Sequence, residues 1–287
     1  MPPDADVSAR IARLFVYPVK SCAGVELRQA ELTEWGLDLD RAWMVVDETG
    51  ALRTQRELPR MALIKPQFKL SEVVLRAPGM LALHLALDKV EKPTRARVWD
   101  DEVAAFDMGD LAAQWFTDFL GVPCRLVRFD PEHRRLSSKK WTGEDEALNQ
   151  FSDGFPVLVL SQASVDGLNE RLAKAGEAAV CVERFRPNIV LEGLDAHDED
   201  RLDMFHIATD SGHVQLRPVK PCPRCPMPNI DPQTAEVSPV VGDTLQGYRR
   251  DDRVGGAVTF GMNLIVLAGD GQTLKVGQQV TAGWRFD

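Results

Sequence analysis

Apolar side chains fall at every second position over much of the first third of the chain and at helical spacing in only two places. The leucines of LALHLAL, Leu81 to Leu87, mark the period of a strand with one buried face. ARLFVYPVK reads as an apolar strand, RAWMVVDETGALRTQ as a hairpin looped over Asp47 to Gly50, and RARVWDDEVAAFD as strand, acidic turn and strand. Helical spacing appears in GDLAAQWFTDFLG. There Asp110 can cap, Leu111, Trp115, Phe119 and Leu120 share a face, and Gly121 supplies the stop. Beyond CRLVRF, the polar, basic run DPEHRRLSSKKWTGEDEALN reads as a solvated connection between two units. The remainder reads as strands over FPVLVLS, RPNIVLEG, HVQLRPVK, GMNLIVLAG and VGQQVTAGWRF, with one helix over QASVDGLNERLAKAG. Many strands without regular βαβ alternation predict a mainly β, α+β chain of barrel-like sheets with a few helices.

Composition adds exclusions. A chain of 287 residues suits two domains, and no apolar run approaches the roughly 18 residues of a membrane helix, so no membrane association is expected. A net charge of −9 disfavours nucleic acid as main partner, because phosphate binding needs a basic surface. The start, MPPDADVSARIARLFVYPVK, lacks the apolar core and cleavage site of a secretory signal and predicts a cytoplasmic protein. Of the five cysteines, Cys22, Cys124 and Cys181 are scattered and read as packing residues, which argues against a disulfide framework.

Candidate chemistry concentrates in KPCPRCPMPNIDPQT, Lys220 to Thr234, where Cys222 and Cys225 frame an arginine among five prolines. A structural zinc site wants four ligands, and His206 and His213 form no second pair. A thioredoxin-type dithiol wants a helix N-terminus, which Pro223, Pro226 and Pro228 disfavour. An inert cysteine in a rigid loop also remains open. The prolines themselves predict an extended backbone that presents Cys225 with little freedom, beside Lys220 and Arg224, whose charges favour a thiolate. Such a soft anion suits a soft or high-valent metal delivered on an anionic organic carrier. Asp231 reads as a turn residue folded back at Pro232, not a proton donor.

These residues also resemble a known pattern. KPCPRCPMPNIDPQTAEV is similar to the cysteine loop of the MOSC family, named for the molybdenum cofactor sulfurase C-terminus. YPVKSCAGVELRQAELTEWGLDLDRAWMVVDETGALRTQRELPRM resembles the β-barrel domain that precedes MOSC in the mitochondrial amidoxime-reducing component and its bacterial relatives. FSDGFPVLVLSQASVDGLNERL, ERFRPNIVLEG and VTFGMNLIV follow in the family's order. The resemblance implies an N-terminal β-barrel-like domain over 8–128 and a MOSC-type β-barrel domain over 129–287. It implies a molybdenum cofactor (Mo-molybdopterin, not pyridoxal phosphate) whose metal is bound by Cys225, the catalytic position, with Cys222 unassigned. Lys20, Ser21 and Arg41 would hold the cofactor's phosphate and other anionic parts. Asp153, Arg186, Asn188 and Arg224 would contact it elsewhere, although Gly154 and Phe155 replace small hydroxyl residues of the mitochondrial pattern. The implied activity is an oxidoreductase removing oxygen from small N-hydroxylated or N-oxide compounds. Because the chain carries no four-cysteine iron–sulfur pattern after the MOSC motifs, electrons are expected from a separate flavin or iron–sulfur reductase. A sulfur carrier with a persulfide on Cys225 is the alternative, and a cofactor-storage module a third.

Overall fold

A computed structural model describes residues 6–285; the acidic opening and the final residues of GWRFD fall partly in 1–5 and 286–287, outside that range. The fold is mostly strands, with four α-helices among the described residues.

Seven strands close into a barrel in the order Val157–Ser161, Ile189–Glu192, Val7–Val16, Gln279–Ala282, Phe205–Ala208, His213–Pro223 and Ala257–Ala268. The last pairs back with the first, Val159 opposite Met262, so the sheet leaves no edge. One pair in this ring, Val157–Ser161 with Ile189–Glu192, is parallel, and the helix Gln162–Lys174 makes the crossover that a parallel pair requires. Both faces of that pair are covered. Val157, Val159, Ile189 and Leu191 point into the barrel core, while Leu160 and Val190 meet Leu168 and Leu172 of the helix. This explains why VLVL is a continuous apolar run and not an alternating one. Although Val7–Val16 precedes the expected division near residue 128 by more than a hundred positions, it lies inside this barrel between Ile189–Glu192 and Gln279–Ala282.

The first unit pairs Trp43–Val46, Arg125–Phe129, Asp101–Asp107 and Lys92–Val98 in one sheet and Lys65–Lys69, Glu72–Arg76 and Leu83–Ala86 in another. Trp43, Met61, Val73, Leu75, Phe116 and Phe119 lie in the core between them, with the helix Gly109–Leu120 packed alongside.

Several local expectations change. Asp107, not Asp110, satisfies the helix start by accepting from the Gly109 N–H at 2.7 Å, and Asp110 pairs with Arg125 at 3.0 Å. Leu111 is 77% exposed, because Ala112 and Phe116 take the buried face with Trp115, Phe119 and Leu120. The Asp47–Gly50 turn forms, yet Trp43–Val46 draws its ladder from Arg125–Phe129, and the arm after the turn supplies only bridges. The basic connection is solvated over Arg134, Lys139 and Lys140 but not throughout. Arg135 is 6% exposed, its guanidinium donating to Asp101, Asn149 and the carbonyls of Gln150 and Ser152, so this segment braces the loop that follows it. No helix among the described residues is long and apolar enough to cross a membrane.

Candidate functional site

A cavity of about 510 Å³ opens where the cysteine-bearing strand leaves the barrel. Its first wall follows from proline chemistry. Pro218, Pro221 and Pro223 cannot donate to the ladder, and the pairing of His213–Pro223 with Ala257–Ala268 slips at three places, two of them at these prolines. Such bulges bend a strand and re-aim its side chains. Arg224 then fixes the exit. Its backbone N–H donates to the Val258 carbonyl at 2.8 Å, its Nε and Nη2 to the Phe260 carbonyl, and its Nη1 to the Phe185 carbonyl at 2.9 Å. With those donors committed, Arg224 lines the cavity mainly as a clamp on the loop.

Cys222 and Cys225 both line the cavity and are half-buried free thiols. Burial pushes the Cys222 thiol up despite the nearby Arg224 charge. After Cys225 the chain makes a 3₁₀ turn at Met227–Asn229, so the extended conformation read from the prolines stops there. Asp231 accepts from the N–H groups of Gln233 and Thr234 at 2.8 and 3.1 Å and pairs with Arg184 at 2.7 Å, the bonding of a turn residue. Burial acts to raise its carboxyl, but those donors hold it below the usual range.

The opposite wall carries Lys20, Ser21, Arg41, Arg186 and Asn188. Ser21, Arg41 and Arg186 all adopt positive φ (68°, 51° and 58°), a conformation costly for residues with a Cβ and concentrated at functional sites. Ser21 Oγ is buried with no hydrogen-bond partner, and so is Arg186 Nη2. Arg186 donates through Nη1 to the Cys22 carbonyl at 2.6 Å, and its guanidinium lies 4.2 Å from the Tyr17 ring centroid; that of Arg41 lies at 4.4 Å. Burial, then the adjacent Arg41, pulls the Arg186 guanidinium down to about 10. Arg41 bonds Asp40 at 2.5 Å, the Arg186 carbonyl at 3.0 Å and Asn188 Oδ1 at 3.2 Å. Asn188 also accepts from the Leu158 N–H and donates to the Phe15 carbonyl, which ties two barrel strands to this wall.

Lys20 is 6% exposed, and its Nζ lies 2.6 Å from both the Phe151 carbonyl and Asp153 Oδ1. Burial pulls its ammonium down against the attraction of Asp153. Asp153 sits at the cavity mouth with 69% of its side chain exposed; the crowding of protein around the mouth works to raise the carboxyl, but Lys20 and the Trp99 indole N–H outweigh that and hold it low. All eight residues read from the sequence as site candidates therefore border one space.

Sequence reasoning missed other parts of it. Arg56, Trp99, Arg135, Trp141 and Arg184 also line the cavity. Trp99 stands in the turn at φ 55°, an angle its neighbours in sequence do not announce, and nothing local in the sequence ties Arg56 or Trp141 to the cysteine loop. Taken together the lining holds eight cationic side chains against two carboxylates, Asp101 and Asp153, in a chain of net charge −9. The space lies within the range of ordinary cofactor pockets. Its donor set fits an anion-bearing group that brings most of a metal's ligands with it. Two unpartnered polar groups and several cations would meet the anion, and two free thiols, Cys222 and Cys225, stand in the lining to add a sulfur. It does not fit a bare metal held by protein alone, since no three His, Cys, Asp or Glu side chains cluster to bind one among the described residues.

Comparison with known proteins gives matches along most of the chain. Residues 8–123 match the MOSC N-terminal beta barrel domain and residues 147–281 the MOSC domain. Mitochondrial amidoxime reducing component 2 of Bos taurus is 37% identical over 84% of this chain and 73% of its own length. Mitochondrial amidoxime-reducing component 1 of Homo sapiens is 36% identical over 94% of this chain and 82% of its own. The molybdenum cofactor sulfurase of Homo sapiens is 30% identical over 94% of this chain and 32% of its own length.

Proposed function

The chain belongs to the MOSC-domain family, with a MOSC N-terminal β-barrel domain ahead of the MOSC domain, and from that premise we propose that it is a molybdenum-cofactor oxidoreductase reducing N-hydroxylated or N-oxide compounds. The observation that carries this reading is the cation-lined cavity that Cys225 shares with Ser21 and Arg186, each of the latter two with a buried polar atom lacking a partner. Ser21, Lys20 and Arg186 would hold the cofactor's phosphate by charge-assisted bonds. For Lys20 this means sharing its ammonium with the exposed carboxylate of Asp153. Arg41, Asn188 and Arg224 position these groups: their own donors go to carbonyls and to Asp40. Cys225 would supply the single protein sulfur to the metal.

The cofactor, when bound, supplies two-electron oxygen removal, in which an N–OH compound plus two electrons and two protons gives N–H and water. The protein binds the substrate beside Cys225 and excludes solvent. Electrons would come from a separate protein carrying a flavin or an iron–sulfur centre. A persulfide carrier on Cys225 makes less use of this arrangement, because a persulfide needs no phosphate clamp. The test is turnover of an aryl amidoxime to the amidine by protein made in a cofactor-competent host, with a reduced viologen as donor. Wild type is expected to turn over, and Cys225→Ser to lose at least about 100-fold, since outer partners of a metal alone are worth 10–100-fold. Turnover unchanged in Cys225→Ser would refute the assignment.

A further inference from the structure

Six of the eight cations around the cavity are occupied by the protein itself. Lys20 is bonded to Asp153, Arg41 to Asp40, Arg135 to Asp101 and Arg184 to Asp231, while Arg186 and Arg224 donate to backbone carbonyls. Arg56 and Lys220 differ. Neither side chain has a hydrogen-bond or ion-pair partner among the described residues, and each rests only on aromatic rings. The Arg56 guanidinium lies 4.6 Å from the Trp99 ring centroid, and the Lys220 ammonium lies 5.2 Å from Trp141 and 5.8 Å from Phe155.

The two pairs share one short loop. Trp99 is anchored by its indole N–H to Asp153 at 3.1 Å, and Phe155 follows two residues later. Gly154 between them has open space where a Cβ would stand, so nothing fills the gap. Lys220 is also two residues before Cys222 on the cysteine-bearing strand, which brings this charge close to the reacting end of the cavity. Trp99 also has the Lys20 ammonium 5.8 Å from its ring centroid and Trp141 that of Lys140 at 5.4 Å, so the rings offer a ligand their edges more than their faces. Aromatic edges beside unneutralised cations recognise ligands that are both planar and anionic: the ligand ring packs edge to face and its charge is met without displacing an internal partner.

We infer that Arg56 and Lys220, with Trp99, Trp141 and Phe155, form a selectivity rim that favours aromatic substrates bearing a carboxylate or similar anion over neutral ones. This deepens the reductase reading and rests on it for the identity of the reaction. The interior cations belong to the protein's own bonding and to the phosphate, whereas these two answer to the substrate.

The test compares para-carboxy benzamidoxime with its neutral para-carboxamide analogue, using protein purified from a cofactor-competent host. Calorimetry gives the two dissociation constants and steady-state assays the two kcat/KM values, for wild type, Arg56→Gln and Lys220→Gln, each checked for molybdenum content. The rim predicts a preference for the carboxylate of about tenfold in both measurements, shrinking towards unity in each variant and at high salt, with molybdenum content unchanged. Equal affinities in wild type would overturn the inference, as would loss of molybdenum in the variants, which would return these cations to the cofactor. A carboxylate preference in binding without reduction of either compound would uphold the rim and refute the reductase reading, so the two fail separately.

Discussion

At the scale of single residues, the site combines groups that stabilise the fold with groups that do not, and the two kinds make opposite predictions. Ser21 Oγ is buried and unpartnered. Leaving a polar atom in that condition costs about 1–3 kcal/mol, so Ser21→Ala should stabilise the ligand-free protein by about 1 kcal/mol while lowering cofactor occupancy. Thermal unfolding and metal content measured on the same samples would show the two effects moving apart; a joint fall would mean that the hydroxyl serves the fold. Arg41 is the converse. Its removal would strand Asp40, whose side chain is 2% exposed, and Arg41→Ala is expected to cost about 3 kcal/mol or more in denaturant unfolding even without cofactor. The sequence exposes Lys20, Ser21 and Arg41 through a motif, but it cannot show that Arg41 spends its donors inward, because Asn188 and the Arg186 carbonyl come from the turn leading into Ile189–Glu192, 145 or more residues away.

At the scale of elements, local rules were legible and long-range ones were not. The helix Gly109–Leu120 could be read from its spacing and from Gly121, which takes φ 74° as the stop. Its buried face excludes Leu111, because spacing fixes a stripe only to within about one position. The connection around Arg135 looks solvated by composition, yet one arginine with four acceptors turns it into a wall. Nothing in the alternation of Val7–Val16 says that its neighbours are Gln279–Ala282 and Ile189–Glu192. Within the barrel, Gly261 sits at φ 81° where a Cβ would come 2.6 Å from the Val159 carbonyl oxygen, on the strand that grips Arg224. Gly261→Ala should therefore cost about 3 kcal/mol or more and widen the closing seam between the two strands. Hydrogen exchange at Val157–Ser161 would report it, and unchanged protection would contradict the close approach.

At the scale of the whole molecule, one buried acid links barrel and helix. Glu199 is fully buried, accepts from the Ser161 N–H at 3.2 Å and from Ser164 Oγ at 2.7 Å, and has Asp200 beside it, itself paired with Arg249. Burial and then the Asp200 charge push its carboxyl up to about 7. The folded state thus holds the proton more tightly than the unfolded state, whose value is 4.5. The favourable contribution is complete below pH 4.5 and is lost as pH rises through about 7, a swing of about 3 kcal/mol. Glu199→Gln should improve in stability relative to wild type between pH 5 and pH 8, and a constant difference across that range would disprove the shift. The same molecule brings two thiols, two orphaned polar groups and a ring of cations into one cavity, and its function turns on what the Cys225 thiol binds. Elemental analysis of wild type, Cys222→Ser and Cys225→Ser from a cofactor-competent host tests it most directly. Near-stoichiometric molybdenum in the first two and its loss in Cys225→Ser is the expected result; zinc, no metal, or equal loss from both cysteine variants would contradict it.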